Sequence, residues 1–64
     1  MERYTLRQAR MYRGRTLQEV AEELKVHRVT VANYETGKTV IPADKFLQLC
    51  DYLNLEPSKF NLEQ

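Results

Sequence analysis

The 64-residue chain has no tryptophan, one cysteine, two glycines and two prolines. A lone thiol, Cys50, closes no internal disulfide, and no cysteine and histidine stand at metal-ligand spacing, so neither a staple nor a zinc site is expected to hold the fold. No apolar run approaches the ~18 residues that span a bilayer, and the Arg-rich N-terminus lacks the hydrophobic stretch of a signal peptide. A cytoplasmic protein with no membrane partner is expected. Also missing are a paired acid and base, a nucleophile beside a base, a metal cluster and a phosphate loop, so nothing supports an enzyme, a metal site or a cofactor. Cys50 has no histidine to activate it and reads as a buried structural thiol.

Excess charge of one sign is absent too. The net charge of +1 is far from the strongly basic balance usual in nucleic-acid binders. Its distribution is uneven, however. Residues 1–38 carry eight Lys or Arg against five Asp or Glu, whereas residues 39–64 carry two against four. The basic face therefore belongs to the N-terminal part, although scattered surface charge also serves simply to keep a small domain soluble.

Leu, Ile, Val and Phe together supply 16 residues, enough for one small core and too few for two. One domain over residues 1–64 is expected. Thr5 with Gln8, and Thr16 with Glu19, have the form of capping boxes that start helices. The first helix is predicted over about residues 5–13, with Leu6 and Ala9 on its apolar side and Gly14 at the left-handed position after it. The second carries Leu17, Val20, Ala21 and Leu24 at helical spacing. After the very short Lys25-Val26 connection, His27 caps a third helix, Arg28 to Thr36, that turns Val31 and Tyr34 inward and stops at Gly37. Imidazole is a poorer cap than Ser, Thr, Asp or Asn by ~0.5–1 kcal/mol. Pro42 and Asp44 introduce a fourth helix bearing Phe46, Leu47, Leu49, Cys50 and Leu53, which Asn54 ends. Leu55 and Pro57 are expected to open a short fifth helix carrying Phe60 and Leu62. The class is all-α.

A tight connection between a second and third helix in a basic half is the arrangement that lets one helix enter a major groove. Residues 16–37, T-L-Q-E-V-A-E-E-L-K-V-H-R-V-T-V-A-N-Y-E-T-G, resemble the helix-turn-helix of the Cro and phage-repressor type, the xenobiotic-response-element family of regulators. The ordered set Thr16, Glu19, Ala21, Leu24, Val26, Val31, Glu35 and Gly37 carries the likeness, which extends through Pro42 to Phe60. It implies a compact five-helix lambda-repressor-like domain with helices 2 and 3 as the helix-turn-helix. It implies a dimeric repressor, bound to double-stranded DNA at a palindromic operator with helix 3 in the major groove. It further implies a partly buried ion pair between Arg10 and Glu35.

On that placement the base-reading residues are His27, Arg28, Val29, Thr30, Ala32 and Asn33. Arg28 suits guanine, Asn33 suits adenine, and Val29 or Ala32 suits a thymine methyl. Backbone contacts are expected from the start of helix 2 at Thr16, Leu17 and Gln18, and from Thr36 and Lys38. Many relatives have glutamine at the Leu17 position and basic residues around Val40, Ile41 and Ala43, so the backbone affinity implied here is modest. The pair Val40-Ile41 either fills the core or, in a loop that the resemblance puts near a two-fold axis, meets a second subunit along with Leu55, Pro57 and Phe60. A homodimer with so small an interface would assemble on DNA. The rival reading, favoured by weak backbone charge, is a protein-interaction module of the antitoxin or anti-repressor kind.

Overall fold

Each of the first two helices starts on a reciprocal pair of hydrogen bonds. The Thr5 hydroxyl accepts from the Gln8 amide at 3.1 Å while the Gln8 side chain accepts from the Thr5 amide at 3.0 Å. Thr16 and Glu19 repeat the arrangement at 3.1 and 2.8 Å. In the computed structural model, which describes residues 3–60, these boxes open α1 (Leu6–Tyr12) and α2 (Leu17–Leu24). They are followed by α3 (Arg28–Thr36), α4 (Ala43–Leu53) and a single 3-10 turn, Pro57–Lys59.

Three of the four helices end in the same way. A left-handed residue, Gly14, Lys25 or Asn54, reverses the chain, and the next amide bonds the carbonyl five residues back: Arg15 to Arg10, Val26 to Ala21, Leu55 to Cys50, each at 3.0 Å. Glycine takes this conformation freely, and a β-carbon at Gly14 would meet no atom within 4 Å, so the backbone angle alone selects glycine there. Lys25, at φ 59°, is the unexpected member. A left-handed lysine costs roughly 1–2 kcal/mol. Opposing that cost, Val26 packs against the core, and α4 reaches across to the end of α2: Lys45 Nζ donates to the Leu24 carbonyl and Gln48 Nε2 to the Glu23 carbonyl, both at 2.9 Å. Arg13 does the same for α4, donating to the Leu53 carbonyl at 2.8 Å and the Asn54 carbonyl at 3.2 Å. Neither α2 nor α4 has a basic residue in its own last turn, so cations borrowed from other helices face these negative dipole ends.

The core gathers one face of every helix. Leu24, Leu53 and Val20 are its most enclosed large side chains, and α2 packs most extensively on α3 and next on α4. Ala9 and Ala21 are completely covered, small residues where helices approach closely. Cys50 is buried as well, and burial pushes its thiol up from the ordinary value, the opposite of activation.

Two expectations change. The segment expected as a fifth helix is one 3-10 turn, and Phe60 lies beyond it in an isolated parallel bridge with Tyr4, whose amide donates to the Lys59 carbonyl at 2.7 Å. Closure onto the N-terminal segment competes there with helix propagation, which three residues cannot sustain. Leu62 lies outside the described residues. Second, Ile41 and Phe60 are only 8% and 5% exposed, and Phe60 meets Phe46 edge-to-face at 5.2 Å between ring centroids. Both side chains are spent inside the protomer and have no free surface to offer a second copy. Val40, 87% exposed, stands alone of its pair at the surface.

The α2 box makes acid sensitivity testable. The Thr16 amide, bonded to the Glu19 carboxylate, is the main influence holding that group below the usual carboxylate range. Its stabilising contribution is complete above the unfolded-state value and is lost as pH falls through the lower folded one. Glu19→Gln keeps an acceptor for the Thr16 amide but has no charge to lose. Melting temperatures followed from about pH 7 to 3 should therefore fall less steeply for this variant than for the wild type; parallel curves would show that the box makes no ionic contribution.

Candidate nucleic-acid interface

The third helix divides cleanly between inside and outside. Val31 and Tyr34 are buried, while Val29, Ala32, Asn33 and Thr36, spaced at i, i+3, i+4 and i+7, line one outward stripe with Arg28 beside it. Arg28 is exposed, Val29 is 55% exposed, and Thr30, Ala32 and Asn33 are half-buried at the edges of the stripe. His27 is exposed at the N-cap, its Nδ1 accepting from the Val29 amide at 3.1 Å. All six sequence-derived reading candidates thus sit on or beside one face.

That face is held from behind. Arg10 Nε donates to Glu35 Oε2 at 2.7 Å and Nη2 to Oε1 at 3.3 Å, a two-pronged pairing in which the side chains are only 12% and 9% exposed. Arg10 Nη1 also donates to the Arg15 carbonyl at 2.8 Å, which fastens the α1–α2 connection to the same guanidinium. The planar fork of arginine fits a carboxylate in this way, and α1 thereby fixes the last turn of α3.

At the start of α2 the capping box takes the Thr16 and Glu19 amides, leaving those of Leu17 and Gln18 as the free donors of the first turn. The Leu17 side chain is half-buried against the core, so only its amide is available to an anion. Gln18 and Thr16 are exposed, with Gln18 donating to Glu22 at 3.1 Å. Thr36 and Lys38 are exposed past the end of the outward stripe, the Thr36 hydroxyl donating to the Asn33 carbonyl at 3.3 Å.

A family model described as a helix-turn-helix domain matches residues 4–61. The chain belongs to the helix-turn-helix domain family. Comparison with curated proteins and with solved structures gave no match. In this helix-turn-helix domain α2 and α3, joined through the left-handed Lys25, pack most extensively on each other, with α4 against α2 and α1 against α3.

Several residues of consequence stand outside the sequence expectation. Leu47, grouped by sequence with the inward residues of α4, is 56% exposed. The signal was available: Phe46, Leu49, Cys50 and Leu53 already make an i, i+3, i+4, i+7 stripe, and Leu47 lies off it. Leu47 borders a surface groove together with Leu55 and Pro57, rimmed by Asp51 and Glu56. The cross-helix caps from Arg13, Lys45 and Gln48 had no sequence signal, since each joins residues 21 or more positions apart.

Proposed function

We propose that the protein is a sequence-specific regulator of the Cro and phage-repressor type that binds double-stranded DNA with α3 in the major groove. The observation that carries this reading is the outward side of α3, where exposed Arg28 and Val29 and half-buried Asn33 stand on a helix anchored by Arg10 and Glu35. Arginine and asparagine each form paired hydrogen bonds with a base edge, to guanine and adenine respectively, and valine suits a thymine methyl. The Leu17 and Gln18 amides, Thr36 and Lys38 serve as phosphate contacts that set the register.

Two copies on a palindrome give the short reading helix its specificity, with half-site centres about one DNA turn, ~34 Å, apart. Of the apolar residues expected at the subunit contact, Val40 and Pro57 are exposed, Leu55 is half-buried against the core at the edge of the same groove as Pro57, and Leu47 joins them. Occupying an operator in this form would block polymerase, the simplest route to repression.

Selection of bound sequences from random duplex DNA tests the reading directly. A palindrome should be recovered, and Arg28→Ala and Asn33→Ala should each weaken it by about 1–3 kcal/mol and relax preference at one base pair while the melting temperature holds. Wild-type affinity in both variants would remove α3 from the groove. Absence of any enrichment at low salt would favour the protein-interaction reading, for which the exposed Val40 and Leu47 are the surface.

A further inference from the structure

We propose that His27 is a specificity-determining residue that reads guanine as a neutral imidazole locked in one tautomer, an assignment that rests on α3 lying in the major groove. A backbone amide only donates hydrogen bonds, so the ring nitrogen facing the Val29 amide at 3.1 Å, Nδ1, bears a lone pair and no proton. The proton of the neutral ring therefore stands on Nε2, across the ring from the cap. The side chain is exposed at the first turn of α3, next to Arg28, so what it offers outward is a single donor with no acceptor beside it.

The choice of residue supports this division of labour. Serine, threonine or aspartate would cap α3 better than imidazole does, so capping alone does not account for histidine. Aspartate has no donor to add, and the hydroxyl hydrogen of serine or threonine stays on the capping oxygen itself, close to the backbone. Histidine caps with one nitrogen and donates with the other, and the cap itself fixes which is which. In the major groove guanine presents only acceptors, N7 and O6, whereas adenine and cytosine each present an amino donor and thymine sets a methyl beside its acceptor. N7 of either purine accepts from such a ring, and guanine is favoured because the group beside its N7 is a second acceptor, O6, whereas adenine sets a like donor there.

Three measurements test the assignment. Long-range proton–nitrogen correlation spectra of the free protein, taken where the ring is neutral, should show the Nε2–H tautomer; the Nδ1–H tautomer overturns it. His27→Ser retains a capping oxygen and removes the Nε2–H that reaches past the cap, leaving only a hydroxyl held at the cap. That variant should melt at or above the wild-type temperature, yet bind the sequence that the wild type enriches from random duplex DNA about tenfold more weakly, with preference relaxed at one guanine. Replacing that guanine by its 7-deaza analogue should reproduce the loss in the wild type and leave His27→Ser unaffected. The assignment falls, with α3 still in the groove, if His27→Ser enriches the same sequence with undiminished affinity. It falls likewise if the wild-type loss follows a neutral methylphosphonate at a flanking phosphate instead of the altered base. If the wild type enriches no sequence, the groove placement and the assignment fall together.

Discussion

Replacing Arg10 with methionine is expected to destabilise the domain by about 3–5 kcal/mol, because it strands the Glu35 carboxylate in a site where only 9% of that side chain reaches solvent. Small domains lose about 4–8 °C of melting temperature per kcal/mol, so the shift should reach roughly 12 °C or more and place the variant close to unfolding at ordinary temperature. The loss comes from the uncompensated charge more than from the vanished attraction. Adding Glu35→Leu removes that charge, and the double variant should recover a large part of the stability. A calorimetric double-mutant cycle measures the coupling; simple additivity of the two losses would show that the 2.7 Å contact does not persist in solution. DNA preference per folded molecule should be unchanged in the double variant, since neither group faces outward.

Ile41→Glu and Val40→Glu, neighbours in one loop, are expected to fail in opposite ways. Burying isoleucine contributes about 1.5–3 kcal/mol, and a carboxylate in its place would lose hydration with no partner at a position only 8% exposed, adding several kcal/mol. A chain of this length has a total stability on the order of 3–10 kcal/mol. Ile41→Glu should therefore be largely unfolded by circular dichroism at 25 °C, whatever its role in assembly. Val40→Glu, at 87% exposure, should melt like the wild type. If Val40 meets its symmetry mate, this variant binds a single half-site with normal preference and loses the cooperative gain across two. A wild-type cooperative footprint from Val40→Glu would move the subunit contact to the groove beside Leu47, Leu55 and Pro57, where Leu47→Glu is the corresponding probe.

The contrast between these neighbours marks the limit of what local pattern conveys. Val40 and Ile41 are alike in chemistry and both sit in a loop, where no helical or strand period assigns an inside. Their sides are decided by how α3 and α4 close over the core. Leu47 is the complementary case, an apolar residue within a helix whose period already placed it off the buried stripe.

The sequence by itself determined most of the starts and stops of α1 to α4, because these depend on contacts within about five residues: the Thr5 and Thr16 boxes, the histidine cap, and the reversals at Gly14, Gly37 and Asn54. It also determined which residues of α3 turn inward, Val31 and Tyr34, but not the centre of the outward side: Thr30, expected on that face, is half-buried, and Val29, expected beside it, is 55% exposed. Tertiary structure alone decided the rest. Lys25 holds a left-handed conformation that its own residue type disfavours, beside a helix end capped by Lys45 and Gln48 from 21 and 25 residues away. Pro57–Lys59 stops after one 3-10 turn, with Phe60 drawn into the core beside Phe46 and bridged to Tyr4. In both places a distant partner supplies more free energy than local preference opposes, and local costs of a few tenths to about 2 kcal/mol per residue are readily outweighed in this way.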